Sequence, residues 1–229
     1  MTSDATSKSA SSSAEDASNT SNTFIRKCQY YSMLLTLLVD AYYSKGECLM
    51  HLTIWSWILH IFYFEVPLTT NTTTSNNTFL LRLFHGPSMG GSLALWNMYL
   101  WTMIMNPNME FDLAPEGRKV WVVYVRAVWL HITPVIFHYI DYNNNIEILR
   151  RQVYNGTSSN TALVIWSAVG GYLAMGLTWE QLQPEGDGGA ASVYNVTLVS
   201  PEVYVYVSKA LGVASCLIMY YFYLKPLMT

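Results

Sequence analysis

The sequence predicts an all-α fold, a polytopic membrane protein with six transmembrane helices in one bundle. Composition is the first reason: of 229 residues, 52% are hydrophobic, 14% aromatic and only 12% charged, which is not the balance of a soluble domain. The second is the succession of six apolar segments after a polar start. The third is one stretch, Val120 to Tyr142, whose first twenty residues are apolar and long enough to cross a bilayer although Arg126, His131 and His138 lie along it. Ionisable groups inside a span are costly, so they face a protein interior or a watery cavity and mark candidate functional sites.

Residues 1–23 are dominated by Ser, Thr, Ala, Asn and Asp, hold no apolar run, and read as a disordered cytosolic tail. This start lacks the pattern of a signal peptide, so the first span is expected to act as the insertion signal. Residues 24–229 then form the membrane domain. The first apolar segment, Gln29 to Tyr43, is short and interrupted by Asp40, which calls for a bundle position. The second, Leu49 to Val66, carries His51, Thr53, His60 and Glu65. The third, Phe84 to Met105, opens with Gly86, Pro87, Gly90 and Gly91, predicting irregularity or close packing on a neighbour. Val120 to Tyr142 is the fourth. The fifth, Thr161 to Trp179, holds Gly170, Gly171 and Gly176, which let backbones approach; the sixth, Val203 to Leu224, carries Lys209 and ends in an aromatic belt.

Lys and Arg placement sets the expected orientation. With a cytosolic N-terminus, seven basic residues fall on the cytosolic side (Lys8, Arg26, Lys27, Arg82, Arg150, Arg151, Lys225) and three on the other (Lys45, Arg118, Lys119). Both termini are therefore expected in the cytosol, in the endoplasmic reticulum or plasma membrane. The glycosylation sequons at Asn71 and Asn76 pull the other way, whereas this orientation exposes Asn195. A net charge of −3 and scattered basic residues give no nucleic-acid-binding field. Cys28, Cys48 and Cys216 have no disulfide or zinc spacing, and no paired-histidine motif occurs, so neither a metal nor another cofactor is expected.

Two polar residues stand out as a pair. A threonine hydroxyl is a poor nucleophile until a base takes its proton, and histidine suits that task near neutral pH. Thr53 and His131 would supply nucleophile and base from two different spans. Counting from the expected span starts at about 1.5 Å per residue places Thr53 roughly 6 Å deep and His131 roughly 16 Å, a mismatch that boundaries and tilt have to absorb. His138 lies two turns beyond His131 on the same face, with Asp141 after it. Asp40 and Arg126 are expected to pair, a structural ion pair that offsets two costly charges. Lys209 is expected to snorkel or to pair with Glu202.

The stretches MHLTIWSWILHIFYF and WLHITPVIFHYIDY resemble the second and fourth spans of the androgen-induced protein family, six-span enzymes that use threonine to hydrolyse fatty acid esters of hydroxy fatty acids. VGGYLAMGLTW and SVYNVTLVSPEVYVYV are similar to its fifth span and to the loop leading into its sixth. The resemblance touches most of the chain from Leu49 onward, through short motifs. It implies Thr53 as nucleophile, His131 as the catalytic histidine and a lipid ester as substrate. The chain departs from the family pattern at His60 (usually Gln), at Asn195 (Pro after Tyr194) and in the close spacing of His131 to Pro134. Ser56, His60 and His138 are the candidates for an oxyanion donor or for support of the pair. The alternative from another class is a non-enzymatic small transporter, channel or subunit of a membrane protein complex, in which Asp40, Arg126, His131 and Lys209 form buried polar pairs with partners or a proton path.

Overall fold

A computed structural model describes residues 4–43, 51–68, 75–109, 119–154, 160–181 and 198–228, and among them there is helix and no strand. Six helical segments follow one another: α1 (Asp4–Tyr43), α2 (Leu52–Glu65), α3 (Ser75–Met105), α4 (Val120–Ile148, continued by a π turn Leu149–Tyr154), α5 (Thr161–Ile165 and Gly171–Gln181 around a π turn Trp166–Gly170) and α6 (Pro201–Met219, then Tyr220–Leu224 and Lys225–Met228). Lys45, Cys48, Asn71, Arg118 and Asn195 lie outside the described residues.

The chain is helical from Asp4 onward, where the composition leads one to expect a disordered tail. Helix propagation adds one hydrogen bond per residue once a nucleus exists, so the apolar half of α1 supplies the nucleus and the Ala- and Ser-rich half extends it. Among the described residues three helical stretches are long and apolar enough to cross a membrane: Val120–Arg151, Thr161–Thr178 and Pro201–Met228. α2, at 14 residues, spans about 21 Å against a hydrocarbon core of about 30 Å, and Asp40 breaks the apolar run of α1. Large apolar side chains point outward along the spanning helices, among them Trp121, Val125, Ile136, Tyr206 and Phe222.

Inter-helix contacts fix the direction of each helix. Arg26 meets Asp141 and Asp40 meets Arg126, so α1 runs antiparallel to α4. Thr53 meets His131 and Tyr63 meets Asp141, so α2 runs parallel to α4. α3 packs on α2, α4, α5 and α6. Its Asn97 and Thr102 bond Ser215 and Tyr204, an antiparallel match to α6. Leu83 and Met98 of α3 bond Trp166 and Tyr172, so α5 runs with α3. Tyr63 stacks on His85 while Ser56 lies beside Gly91, so α2 opposes α3. Successive helices thus alternate in direction through all six.

Two prolines sit inside helices, and each releases a carbonyl that a neighbour takes. Pro87 has no N–H for Leu83 O, which accepts the Trp166 indole N–H at 2.8 Å; Pro134 has none for Leu130 O, which accepts the Trp57 indole N–H at 2.8 Å. At the α3–α5 crossing a Cβ on Gly86 would lie 2.6 Å from Ser167 Cα, so only glycine permits that approach.

Candidate functional site

Thr53 stands in the first turn of α2, and His131 lies eleven residues after the start of α4. α2 begins where α4 is already about three turns along, which removes the expected mismatch in depth. The Thr53 Oγ1 to His131 Nε2 distance is 3.2 Å, and both residues are buried. The second ring nitrogen settles the proton. His131 Nδ1 is 2.8 Å from the Ala127 carbonyl, an acceptor only, so Nδ1 carries the hydrogen and Nε2 is the acceptor facing the threonine hydroxyl.

The pair is held from two sides. Tyr99 of α3 stacks on the imidazole with ring centroids 3.9 Å apart at 18°. The Trp57–Leu130 bond joins the residue one turn after Thr53 to the residue just before His131, and so sets the register of α2 on α4. Thr53 and His131 line a cavity of about 30 Å³ with Met98, Tyr99, Thr102 and Tyr204. At about 10–15 Å³ per water, this is room for roughly two waters. In its wall Thr102 donates to Met98 O at 2.8 Å and therefore accepts from the Tyr204 phenol, also at 2.8 Å. Tyr99, Thr102 and Tyr204 were not among the residues singled out by sequence, since a tyrosine or threonine in a span carries no signal of its own.

The other expected site residues are elsewhere. Ser56 is buried against Gly91, its hydroxyl without a hydrogen-bond partner, and does not line the Thr53–His131 cavity. His60 contacts the Ser56 carbonyl through Nδ1, and its ring packs on His138 at 4.9 Å between centroids. His138 stacks on Tyr63 with both ring nitrogens buried and unpartnered. Neither histidine reaches the pair. Among the described residues no group of three or more His, Cys, Asp or Glu is placed to hold a metal ion.

The ion pairs follow a pattern. Arg126 is bidentate to Asp40 at 2.7 and 2.9 Å. A second pair was not expected from the sequence: Arg26 contacts Asp141 at 2.6 Å with both side chains buried, and also donates to the Tyr63 and Val66 carbonyls at 2.9 and 3.0 Å, which caps the C-terminus of α2. Tyr63 and Asn145 donate to the same carboxylate. Asp141 thereby accepts from Arg26, Tyr63 and Asn145 together. Lys209 pairs with Glu180 of α5 at 2.9 Å instead of Glu202. Seven residues along one helix is about 10.5 Å, whereas the end of α5 lies alongside.

Comparison with protein-family models, with curated proteins and with solved structures finds no match.

Proposed function

We propose that the chain is a membrane-embedded hydrolase of lipid esters, such as fatty acid esters of hydroxy fatty acids, with Thr53 as nucleophile and His131 as base. The observation that carries this reading is the placement of the His131 ring, with Nδ1 on the Ala127 carbonyl at 2.8 Å and Nε2 3.2 Å from a buried threonine hydroxyl of another helix. His131 Nε2 takes the proton of Thr53 Oγ1 as the oxygen attacks the ester carbonyl. The tetrahedral intermediate collapses with the acyl group on Thr53, and the imidazolium returns the proton to the departing alkoxide. A water in the adjoining cavity, deprotonated by the same nitrogen, then attacks the acyl-threonine, releasing the fatty acid and restoring the hydroxyl. Tyr204 and Thr102 border the same cavity. The likeness of the Thr53 and His131 segments to the androgen-induced protein family supports the same chemistry.

The setting is proposed as a six-span bundle, the three shorter or more polar helices completed by their neighbours, with both termini cytosolic. Alternating helix directions support this. The test is hydrolysis of a long-chain hydroxy-acid ester by purified protein. Thr53→Ala removes the covalent route and is expected to reach background, and His131→Ala to lose about 10²–10⁴-fold. A hydrolase probe should label the parent protein and not Thr53→Ala. Unchanged turnover in both variants would refute the proposal.

A further inference from the structure

A histidine that acts as base becomes a cation, and in a Ser-His-Asp arrangement a buried carboxylate at the far ring nitrogen stabilises that charge. His131 has no such partner. Its Nδ1 faces the Ala127 carbonyl at 2.8 Å and its Nε2 the Thr53 hydroxyl at 3.2 Å, both neutral groups. Three carboxylates of the helices are held elsewhere: Asp40 by Arg126, Asp141 by Arg26, and Glu180 by Lys209 at the rim of a neighbouring apolar cavity of about 160 Å³. The titratable groups around the imidazole are Arg126 on α4, His51 just before α2, Tyr99 on α3, and Tyr204 of α6 in the cavity wall. Neither Arg126 nor His51 can balance a positive charge on the ring. The group that covers its face is Tyr99.

That stack is closer than the other histidine–tyrosine contacts among the described residues. Neutral aromatic pairs settle with centroids about 4.5–7 Å apart, offset or edge-on, because like-signed π faces repel when they overlap. Tyr63 keeps to that range against His85 (4.9 Å) and His138 (5.1 Å), and so does Tyr154 against His85 (5.6 Å). Tyr99 lies over His131 at 3.9 Å and 18°, the imidazole above the phenol face. Such overlap gains little for two neutral rings and more once one of them is a cation.

We propose that Tyr99 is the positioning residue that stabilises the His131 imidazolium, its π face standing where a serine-type triad has a carboxylate. The proposal rests on the hydrolase reading and gives the Thr53–His131 pair its third member. The contact strengthens only as His131 takes the Thr53 proton, so it favours the transition state over the neutral resting state. His131 is buried and the adjoining cavity small, so little solvent screens the attraction.

His131 can be followed with and without turnover. Protein carrying isotope-labelled histidine is titrated in detergent, the His131 resonance being assigned by its loss in His131→Gln, and hydrolysis of a long-chain hydroxy-acid ester is recorded against pH. Tyr99→Leu, or Tyr99→Met should the first variant not fold, is expected to lower the His131 titration midpoint by about one pH unit, a tenfold change in the equilibrium. The same variants are expected to lose about tenfold in kcat, with the acid limb of the profile displaced to lower pH. Tyr99→Phe keeps the face and is expected to follow the parent in both readouts, and Tyr99→Trp to raise the midpoint. A tyrosine that merely packs would lower thermal stability and leave the midpoint in place. A midpoint unchanged in the aliphatic variants, or displaced equally in Tyr99→Phe, overturns the proposal whatever the turnover. Midpoints that keep the expected order in a protein without ester hydrolysis would instead sink the hydrolase reading and leave Tyr99 as the partner of the imidazolium.

Discussion

Trp57 is the residue on which the geometry of the pair turns. Its indole N–H fills the carbonyl that Pro134 leaves open, one residue before His131, while its own position is one turn from Thr53. Trp57→Phe keeps most of the ring volume and removes the donor, leaving a buried carbonyl unsatisfied at a cost of about 1–3 kcal/mol. On the proposed mechanism its signature is a fall in kcat larger than the change in KM, because the pair loses register while the neighbouring apolar cavity stays intact. Pro134→Ala restores an N–H that competes for Leu130 O, and the same fall is expected there. A thermal unfolding midpoint that drops with kcat unchanged would show that Trp57 only packs. The pH dependence has a definite sign. Protonation of His131 at Nε2 turns the acceptor into a donor, so no base faces Thr53, and kcat falls as pH is lowered through that titration while the neutral imidazole supports full rate. A pH–rate profile with no acid limb would contradict the assignment of base.

At the scale of elements, α1 is fixed to α4 by one ion pair near each end, Arg26–Asp141 and Asp40–Arg126, fourteen residues apart on one helix and fifteen on the other. Removing one member of the buried pair strands the other. Asp141→Leu alone is expected to destabilise by about 3–5 kcal/mol, and Arg26→Met with Asp141→Leu to recover most of it, read from thermal unfolding in detergent. Gly86→Ala places its Cβ against Ser167 backbone at the α3–α5 crossing, for an expected loss of about 1–3 kcal/mol. The sequence carried part of this. Asp40 and Arg126 were legible because a lone charge inside an apolar run demands a partner, and Thr53 with His131 because hydroxyl and imidazole stand out against Leu, Ile and Trp. Arg26 was not legible: beside Lys27 at the edge of an apolar segment it reads as a flanking charge, and nothing in the linear order brings Asp141 to it. The glycines and Pro87 announced close packing at what is the middle of α3, but not that a tryptophan would occupy the freed carbonyl, since that depends on which helix arrives there.

For the whole molecule, the alternation of six helix directions limits what glycosylation can do. In the proposed six-span bundle the segments after α2 and α4 share a side with the N-terminus, and the segment between α5 and α6 faces the opposite one. The sequons at Asn71 and Asn76, and a further one that Asn155 opens with Gly156 and Thr157, are then on one side of the membrane and Asn195 on the other, and glycan transfer occurs on the extracytosolic side alone. The basic residues favour the N-terminal side as cytosolic. Glycosidase treatment of the protein expressed in a secretory-competent cell is therefore expected to shift the parent and to leave Asn195→Gln unshifted, while Asn71→Gln with Asn76→Gln behaves as the parent. A shift that survives Asn195→Gln would invert the orientation and keep the bundle, since Thr53 and His131 would remain at matching depth. Modification on both sides in one molecule would break the alternation itself, and with it the parallel arrangement of α2 and α4 that brings a hydroxyl and an imidazole to the same level.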